Sequence, residues 1–367
     1  MEFRDFEMER WQSIWENSVR FNLTESGVHP VTPAELGITA DELLNQRLGY
    51  GYGNGSVHFR ELASELYEGA TVDNFVATIG GCEANFHCMS SLIEPGDEAL
   101  FVLPNYMQTY GAAEAFGARI VPVWTSPDNG WIPDPAEIRE KVNAKTKLIS
   151  ISNPNNPTGA AYGLDTLKAI AAAADKVGCW IHSDEVYRGA EREGDKTPSM
   201  WGLYPKTLVV HSMSKAYGMP GTRIGWVLGP EDHIAKVWAH KDYTSIAPSI
   251  LSDKIACRGL ELRDKLRVRT QEFIGRNLPL VQEWMALRPG MFECVPPKAA
   301  AIAMIRYKHP IESYKLAERL KDEQSTLIVP GQQFMLDGYL RLGFGPPQDY
   351  LEKGLARILE VLDSTVD

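Results

Sequence analysis

Short runs of apolar and β-branched residues recur between about residues 75 and 229 and form the clearest pattern in the sequence. The runs are FVATI, ALFVL, RIVPV, KLISIS, CWIHS, TLVVHS and IGWVLG. Between several of them lie stretches with helical spacing, such as EANFHCMSSLIE and LDTLKAIAAAADKVG. Strands that alternate with helices in this way predict a buried, mostly parallel sheet with helices packed around it.

The pattern changes after about residue 250, where a long charged stretch with helical periodicity begins at SDKIACRG. Pro279 lies inside this stretch and predicts a kink or a break in the helix. Weaker strand signals follow in AAAIAMIRY and GYLRLGF. A sheet domain followed by an α+β portion is therefore the simplest division of the chain.

Composition and charge narrow the class of protein. The chain has 367 residues and a net charge of -11, which argues against nucleic acid or an anionic membrane as the main partner. The five cysteines form no CxxC pair and have no histidines at metal-ligand spacing, so we expect reduced thiols and no metal site. The charged N-terminal segment has no apolar core like that of a signal peptide, and no apolar window reaches the ~18 residues of a membrane span. We expect a cytoplasmic protein.

Polar segments follow the predicted strands, and in open α/β sheets ligands bind beyond the carboxyl ends of the strands. GGCEAN follows FVATI, PNYMQTY follows ALFVL, and NPNNPTG follows KLISIS. DEVYRG follows CWIHS, and MSK follows TLVVHS. Taken singly, each segment has an ordinary explanation as a turn or a helix cap. Together they predict one site at one edge of the sheet.

One group of these residues suits a phosphate. A phosphate is bound by amides at a helix N-terminus, by hydroxyls and by an arginine. The GGCEAN turn, Ser212, Ser214 and Arg223 supply such donors. Lys215 adds an amine nucleophile, and the cationic groups around it are expected to lower its pKa.

A second group suits a pyridine ring. Asp184 can keep a ring nitrogen protonated, because a buried carboxylate beside that nitrogen raises its pKa. Tyr106 can pack on the face of the ring, and Asn156 with Tyr187 can donate hydrogen bonds to a phenolic oxygen. The two groups together predict pyridoxal 5'-phosphate as the cofactor.

The same segments carry a family resemblance. YGYGNGSVHFREL, GGCEAN, EPGDEALFVLPNY, SNPNNPTG, SDEVY, SMSKAYGMPGTRIGW, VPGQQF and LRLGFG resemble, in order and spacing, the fold type I aminotransferases of class I/II. The resemblance implies an α/β fold with a large pyridoxal-phosphate domain, whose mostly parallel seven-stranded sheet lies between helices. It also implies a smaller α+β domain built from both chain ends. We place the large domain at residues 38–262 and the small domain at residues 1–37 and 263–367.

The resemblance also implies roles for single residues. Lys215 would bond covalently to the cofactor and carry the proton, with Asp184 and Tyr187 as the other catalytic groups. Gly81 and Cys82 would offer amides to the phosphate.

Further residues would bind the substrate or reach a second subunit. Arg341 would bind the substrate α-carboxylate beside Asn156, although a salt-bridged strand arginine is the ordinary alternative. Tyr50 would reach the phosphate of a neighbouring subunit, which implies a homodimer with shared active sites; Tyr52 is the alternative register.

The resemblance leaves the reaction open. The substrate is expected to be an α-amino acid, and for an aminotransferase also a 2-oxo acid. The segment SGVHP departs from the usual family wording and faintly resembles capreomycidine synthases, which dehydrate a hydroxyarginine and close a ring. Gly27 and His29 then become candidate substrate residues, and Glu25 a candidate guanidinium partner. A turn histidine and a solvated loop carboxylate are the ordinary alternatives, and an aminotransferase remains the first expectation.

Overall fold

The computed structural model describes residues 2–364. The strands of that range fall into three sheets. The helices are α1 (Glu7–Trp15), α2 (Ala40–Leu44), α3 (Val57–Ser64), α4 (Gly80–Leu92), α5 (Met107–Ala115), α6 (Pro135–Lys141), α7 (Leu164–Val177), α8 (Glu231–Lys241), α9 (Ile250–Glu261), α10 (Arg263–Ala286), α11 (Ser313–Gln324) and α12 (Gln348–Asp363). The strands are β1 (Phe21–Asn22), β2 (Phe75–Thr78), β3 (Glu98–Leu103), β4 (Arg119–Trp124), β5 (Thr146–Ser152), β6 (Trp180–Asp184), β7 (Thr207–Ser212), β8 (Gly225–Leu228), β9 (Phe292–Cys294), β10 (Ile302–Tyr307), β11 (Thr326–Leu327), β12 (Val329–Pro330) and β13 (Tyr339–Gly343).

The large sheet has seven strands in the order β2-β8-β7-β6-β5-β3-β4. Strand β8 runs antiparallel to both of its neighbours, and the other pairs are parallel. Every residue of β2, β3, β7 and β8 is buried, because helices cover both faces of the sheet. The predicted α/β fold with a mostly parallel seven-stranded sheet is confirmed.

A smaller part of the fold joins the two ends of the chain. Strands β12, β13, β10 and β9 form a four-stranded antiparallel sheet, and the short β1 pairs in parallel with β11. Apolar residues of both parts share one core cluster, which includes Trp11, Phe59, Trp226 and Leu342. The proposed boundary at residues 38 and 262 stays a prediction, and residue 1 and residues 365–367 lie outside the described range.

The long charged stretch after residue 250 divides at a different place from the one predicted. Helix α9 ends at Glu261 and α10 begins at Arg263, whereas Pro279 lies inside α10. The predicted break at this proline is therefore wrong. The carbonyl that a proline ring crowds belongs to the residue four positions earlier, here Gly275, which has no side chain to add to the crowding. Within residues 2–364, no helix is long and apolar enough to cross a membrane.

Candidate active site

A cavity of about 360 Å³ opens at the carboxyl edge of the large sheet. Strands β5, β6 and β7 end there, so the residues that follow them converge on one space. The structure brings most of the predicted site residues to its wall: Gly81, Cys82, Tyr106, Asn156, Asp184, Tyr187, Ser212, Ser214, Lys215, Arg223 and Arg341.

Lys215 lies in this cavity opposite Glu25. Its Nζ is 3.1 Å from Oε1 of Glu25, which also accepts a hydrogen bond of 3.0 Å from the amide of Gly27. The ammonium of Lys215 holds the pKa of Glu25 at about 2. Burial alone would lower the pKa of Lys215, but Glu25 and Tyr187 outweigh it and the pKa lies above the ordinary value. The expected lowering of this pKa is therefore wrong, because the sequence pattern did not place a carboxylate beside the amine.

Asp184 ends strand β6 and is buried at the floor of the cavity. Its two carboxylate oxygens accept hydrogen bonds from neutral amides, Nδ2 of Asn85 at 2.9 Å and the backbone of Val186 at 3.1 Å. Burial raises the pKa of Asp184, although these two bonds and Lys215 oppose the shift. A buried carboxylate with neutral donors is well placed to bind a cationic N–H.

Behind Asp184 runs a chain of buried polar side chains that the sequence analysis missed. His182 lies 2.9 Å from Oδ1 of Asn85 through Nε2 and 3.0 Å from Oγ of Ser150 through Nδ1. Burial lowers the pKa of His182 to about 3, so the ring is neutral and carries one N–H. Since Asn85 donates to Asp184, its Oδ1 accepts from His182, and Ser150 donates to the other ring nitrogen. This chain fixes the orientation of the Asp184 carboxylate.

The opposite end of the cavity is rich in hydrogen-bond donors. The N-terminus of α4 begins at Gly80, whose φ of 74° is in the left-handed region, and a Cβ there would lie 2.5 Å from Nη2 of Arg223. Nη1 of Arg223 donates to the hydroxyl of Ser214 at 3.5 Å. The backbone amide of Ser214 donates to the hydroxyl of Ser212 at 3.3 Å. The N-terminus of this 13-residue helix, two hydroxyls and a guanidinium are donors of the kind that could hold an anion.

Arg341 projects from β13 into the buried side of the cavity and is only 1% exposed. Its guanidinium donates to Oδ1 of Asn156 at 3.1 Å and to the carbonyl of Thr24 at 2.7 Å. Its Nε is buried and has no hydrogen-bond partner among the described residues. Burial lowers the pKa of Arg341, but a guanidinium keeps its charge in proteins. The guanidinium therefore places a fixed positive charge at the wall of the cavity.

Two tyrosines complete the walls. Burial raises the pKa of both Tyr106 and Tyr187, so both phenols keep their protons and can donate hydrogen bonds. Tyr106 caps α5 and packs edge-on against Phe6, with ring centroids 5.2 Å apart. Beside it, the side-chain amide of Gln108 donates to the carbonyl of Cys82 at 2.8 Å, which holds the first turn of α4 in place.

Three predicted residues lie outside the wall. Gly27 does not line the cavity, but it packs against Lys215: a Cβ added to Gly27 would lie 3.7 Å from Cδ of that lysine. His29 is exposed, and its ring centroid is 6.4 Å from that of Phe273, so the geometry does not support its predicted substrate role. Tyr50 is 90% exposed on the surface of this chain, away from the cavity that Lys215 lines.

Helix α1 forms a wall that the sequence analysis did not predict. Met8, Glu9 and Gln12 face the cavity from the helix, and Glu16 does so from the residue that follows it. Positions 8, 12 and 16 recur every four residues, which places them on one helical face. This spacing was visible in EMERWQSIWE, but nothing in the sequence indicated what that face covers.

A comparison with protein families shows which family the chain belongs to. The family model described as aminotransferase class I and II matches residues 31–358. The chain belongs to this aminotransferase family. Membership implies pyridoxal 5'-phosphate as cofactor and amino acids and 2-oxo acids as substrates.

Curated relatives cover most of this aminotransferase. Capreomycidine synthase of Streptomyces vinaceus is 28% identical over 97% of this chain and 93% of its own length. Aspartate/prephenate aminotransferase of Thermus thermophilus is 27% identical over 90% of this chain and 88% of its own. Arginine–pyruvate transaminase of Pseudomonas aeruginosa is 28% identical over 89% and 86%. Among solved structures, a PLP-dependent aminotransferase from Streptococcus suis matches with a TM-score of 0.94, 31% identity and complete coverage (100%) of both chains.

The residues of this aminotransferase fit the cofactor that the family implies. Asp184 is a buried carboxylate whose two hydrogen-bond donors are both neutral. A protonated ring nitrogen would supply the positive charge that this carboxylate lacks. The donor set at the start of α4 matches a phosphate, and the absent Cβ of Gly80 leaves room for the guanidinium of Arg223. Lys215 lines the same cavity and supplies an amine that could react with the aldehyde.

Proposed function

We propose that this enzyme transfers the amino group of an α-amino acid to a 2-oxo acid, with Lys215 as the residue that bonds to the cofactor and moves the proton. One observation carries the proposal. A lysine amine at Lys215, a buried carboxylate at Asp184 and a buried guanidinium at Arg341 line one cavity of about 360 Å³. These are the groups that the chemistry of an amino acid on this cofactor requires.

Pyridoxal phosphate, when bound, supplies an aldehyde that reacts with amines and a ring that withdraws electrons from the α-carbon. Asp184 would hold the proton of the ring nitrogen, and the Asn85 and Val186 amides keep its carboxylate directed at that atom. Asn156 and Tyr187 would donate to the phenolic oxygen. Tyr106 would cover one face of the ring and exclude water from it.

At the other end, the residues would hold the phosphate. The amides of Gly81 and Cys82 open helix α4, and its positive N-terminus favours an anion. Ser212, Ser214 and Arg223 would complete the donor set. This anchoring fixes the distance between the reactive aldehyde and Lys215.

Arg341 would bind the α-carboxylate of the substrate. Its guanidinium donates to Asn156 and to the carbonyl of Thr24, which fixes its positive charge at the wall of the cavity. A carboxylate fixed there presents the α-carbon toward Lys215. The neutral amine of Lys215 would then take the α-proton at Nζ and return it to a neighbouring carbon.

The active unit is proposed to be a homodimer with shared sites. Tyr50, at 90% exposure, is one of several large apolar residues that the single chain leaves exposed in one region, with Leu44 at 81%, Leu48 at 79% and Tyr52 at 62%. Apolar exposure of this size is typical of an interaction surface. In such a dimer Tyr50 would reach the phosphate of the partner subunit. We also propose a cytoplasmic location, supported by five cysteines that are all free thiols.

A second candidate function is a lyase or cyclase. The similarity to capreomycidine synthase over 97% of this chain favours it, because the same cofactor supports elimination as well as transamination. Aminotransferases among the other relatives favour transamination.

The proposed function is tested with the cofactor-loaded enzyme, single amino acids and 2-oxoglutarate. Formation of glutamate in equal amount to the 2-oxo acid of the donor is the expected result, and Lys215→Ala should abolish it. Consumption of a hydroxylated amino acid without any need for 2-oxoglutarate would replace the aminotransferase with the lyase or cyclase.

A further inference from the structure

The cavity is lined by more carboxylates than cations. This inference rests on the proposed function and concerns the charge of the substrate side chain. Among the described lining residues of the cavity the cations are Lys215, Arg223 and Arg341. In the proposed function each of them already has a partner: the cofactor aldehyde, the phosphate and the substrate α-carboxylate. No cation of this chain's described wall is then left for a second, distal carboxylate of a substrate.

Carboxylates, by contrast, are in excess. Glu9, Glu16 and Glu25 all line the same cavity, in addition to the Asp184 that would face the ring nitrogen. Glu9 lies beside the cofactor wall, since its Oε2 is 3.5 Å from the hydroxyl of Tyr106. Glu16 follows the last residue of α1 and is half-buried.

These carboxylates repel one another. Burial raises the pKa of Glu16, and the negative charges of Glu25 and Glu9 raise it further, with only Lys215 opposing them. Glu25 is neutralised by the Lys215 ammonium, and that ammonium is consumed when the lysine bonds to the cofactor. In a loaded enzyme this ion pair would be absent, and Arg341 would be the remaining cation that acts on Glu25. Three carboxylates would then share the α1 side of the cavity, where a bound cation would relieve their repulsion.

An independent observation shows where a ligand would be held. Arg341 is 1% exposed and lines the cavity, so its buried positive charge favours an anionic group of the ligand. In the proposed function the substrate α-carboxylate binds Arg341 and its α-nitrogen lies near Lys215, so the position of the amino-acid backbone is fixed. The side chain must then extend through the remaining space of the cavity, which α1 borders.

We propose that Glu9 and Glu16, together with Glu25, form a subsite for a positively charged side chain, so that the preferred amino donor carries a guanidinium or ammonium group at its far end. Carboxylates pair well with both groups, and a guanidinium can bind two oxygens at once. The similarity to an arginine–pyruvate transaminase agrees with this substrate class.

The test compares a cationic donor with an uncharged donor of similar length. The loaded enzyme is assayed for kcat/KM with arginine and with norleucine, as wild type and as the double variant Glu9→Gln/Glu16→Gln. Loss of the charge-assisted pairing should reduce the arginine value about 10- to 100-fold and change the norleucine value less than about threefold. Glu7→Gln is the matched control, because it removes the same charge from α1 at a residue outside the cavity wall.

A binding measurement separates this subsite from the proposed reaction. 5-Guanidinopentanoate lacks an α-amino group and cannot react, so calorimetry on the loaded enzyme reports recognition alone. It should bind at least about tenfold more weakly to the double variant than to wild type or Glu7→Gln. Selective binding without any amino transfer would retain the subsite and overturn the aminotransferase. Equal binding in all three proteins, or a preference for acidic donors over arginine, would overturn the subsite.

Discussion

At the scale of single residues, the pairing of Lys215 with Glu25 controls the state of the reactive amine. The carboxylate is 3.1 Å from Nζ, and it keeps the amine protonated in the cofactor-free enzyme. Only a neutral amine can attack an aldehyde, so cofactor capture requires that this proton be released. In the proposed function, Glu25 would thereby link cofactor loading to pH.

Glu25→Gln should shift the titration of Lys215 to lower pH. The carboxylate that raises the pKa of this lysine is removed, and burial, which lowers that pKa, remains. The measurement is the rate at which an amine reagent labels Lys215 in the cofactor-free enzyme, followed by peptide mass spectrometry across pH. The labelling midpoint should stay in place in Glu9→Gln, which lines the same cavity without a hydrogen bond to Nζ. An unchanged midpoint in Glu25→Gln would disprove the coupling.

Asn85→Ala should weaken cofactor binding about tenfold and lower turnover. The substitution leaves Oδ2 of Asp184 and Nε2 of His182 without partners in a buried place, which costs ~1–3 kcal/mol. Cofactor dissociation constants are measured by absorbance after dialysis. The control is Asn74→Ala. It removes a buried side-chain amide that donates to the carbonyl of Gly229, and Asn74 precedes β2 and does not line the cavity. If both variants bind the cofactor equally well, the chain behind Asp184 has no role in the site.

At the scale of elements, the start of helix α4 depends on a residue without a side chain. Gly80→Ala should reduce cofactor affinity tenfold or more, because its Cβ would displace the Arg223 guanidinium and the left-handed backbone costs an alanine ~1–2 kcal/mol. Gly111→Ala in α5 is the matched control. Its Cβ would meet nothing within 4 Å in the described chain, and the change should stabilise the helix by ~0.5–1 kcal/mol. Equal cofactor affinity in both variants would contradict the phosphate assignment.

The elements also show what a sequence can predict. The strands of the large sheet carry strong apolar runs, and the carboxyl-end rule then gathers Lys215, Asp184 and Asn156 at one edge. The two-residue strands β1 and β11 are too short to carry a pattern. The α1 wall arises from contacts between residues some 300 positions apart, such as Trp11 with the carbonyl of Ile328. Local periodicity contains no information on such contacts.

The buried chain behind Asp184 was missed for a related reason. His182 points from the middle of strand β6 toward Asn85 of α4, and the apolar pattern of that strand suggested only packing. Asn85 ends the GGCEAN segment, but turn and helix signals in that segment gave no sign that its side chain contacts Asp184. His29 was a candidate beside the ordinary alternative of a turn histidine, and its exposed position agrees with that alternative.

At the scale of the whole molecule, the exposed apolar surface around Tyr50 predicts a dimer. Sedimentation at micromolar concentration should give twice the chain mass of 40.9 kDa. Leu48→Glu places a charge in this surface and should shift the protein toward the monomer with loss of activity. Leu287→Glu, at a leucine that is 61% exposed at the end of α10, should leave the dimer intact. A fully active monomer would contradict shared active sites.

We propose above all that Lys215 is the residue that bonds to pyridoxal phosphate. The most direct measurement is reduction of the loaded enzyme with borohydride, followed by proteolysis and mass spectrometry of every lysine peptide. The pyridoxyl mass should be found on the peptide that contains Lys215, in about one copy per chain. A label on another lysine, or a loaded enzyme in which Lys215 remains unmodified after reduction, would contradict the account.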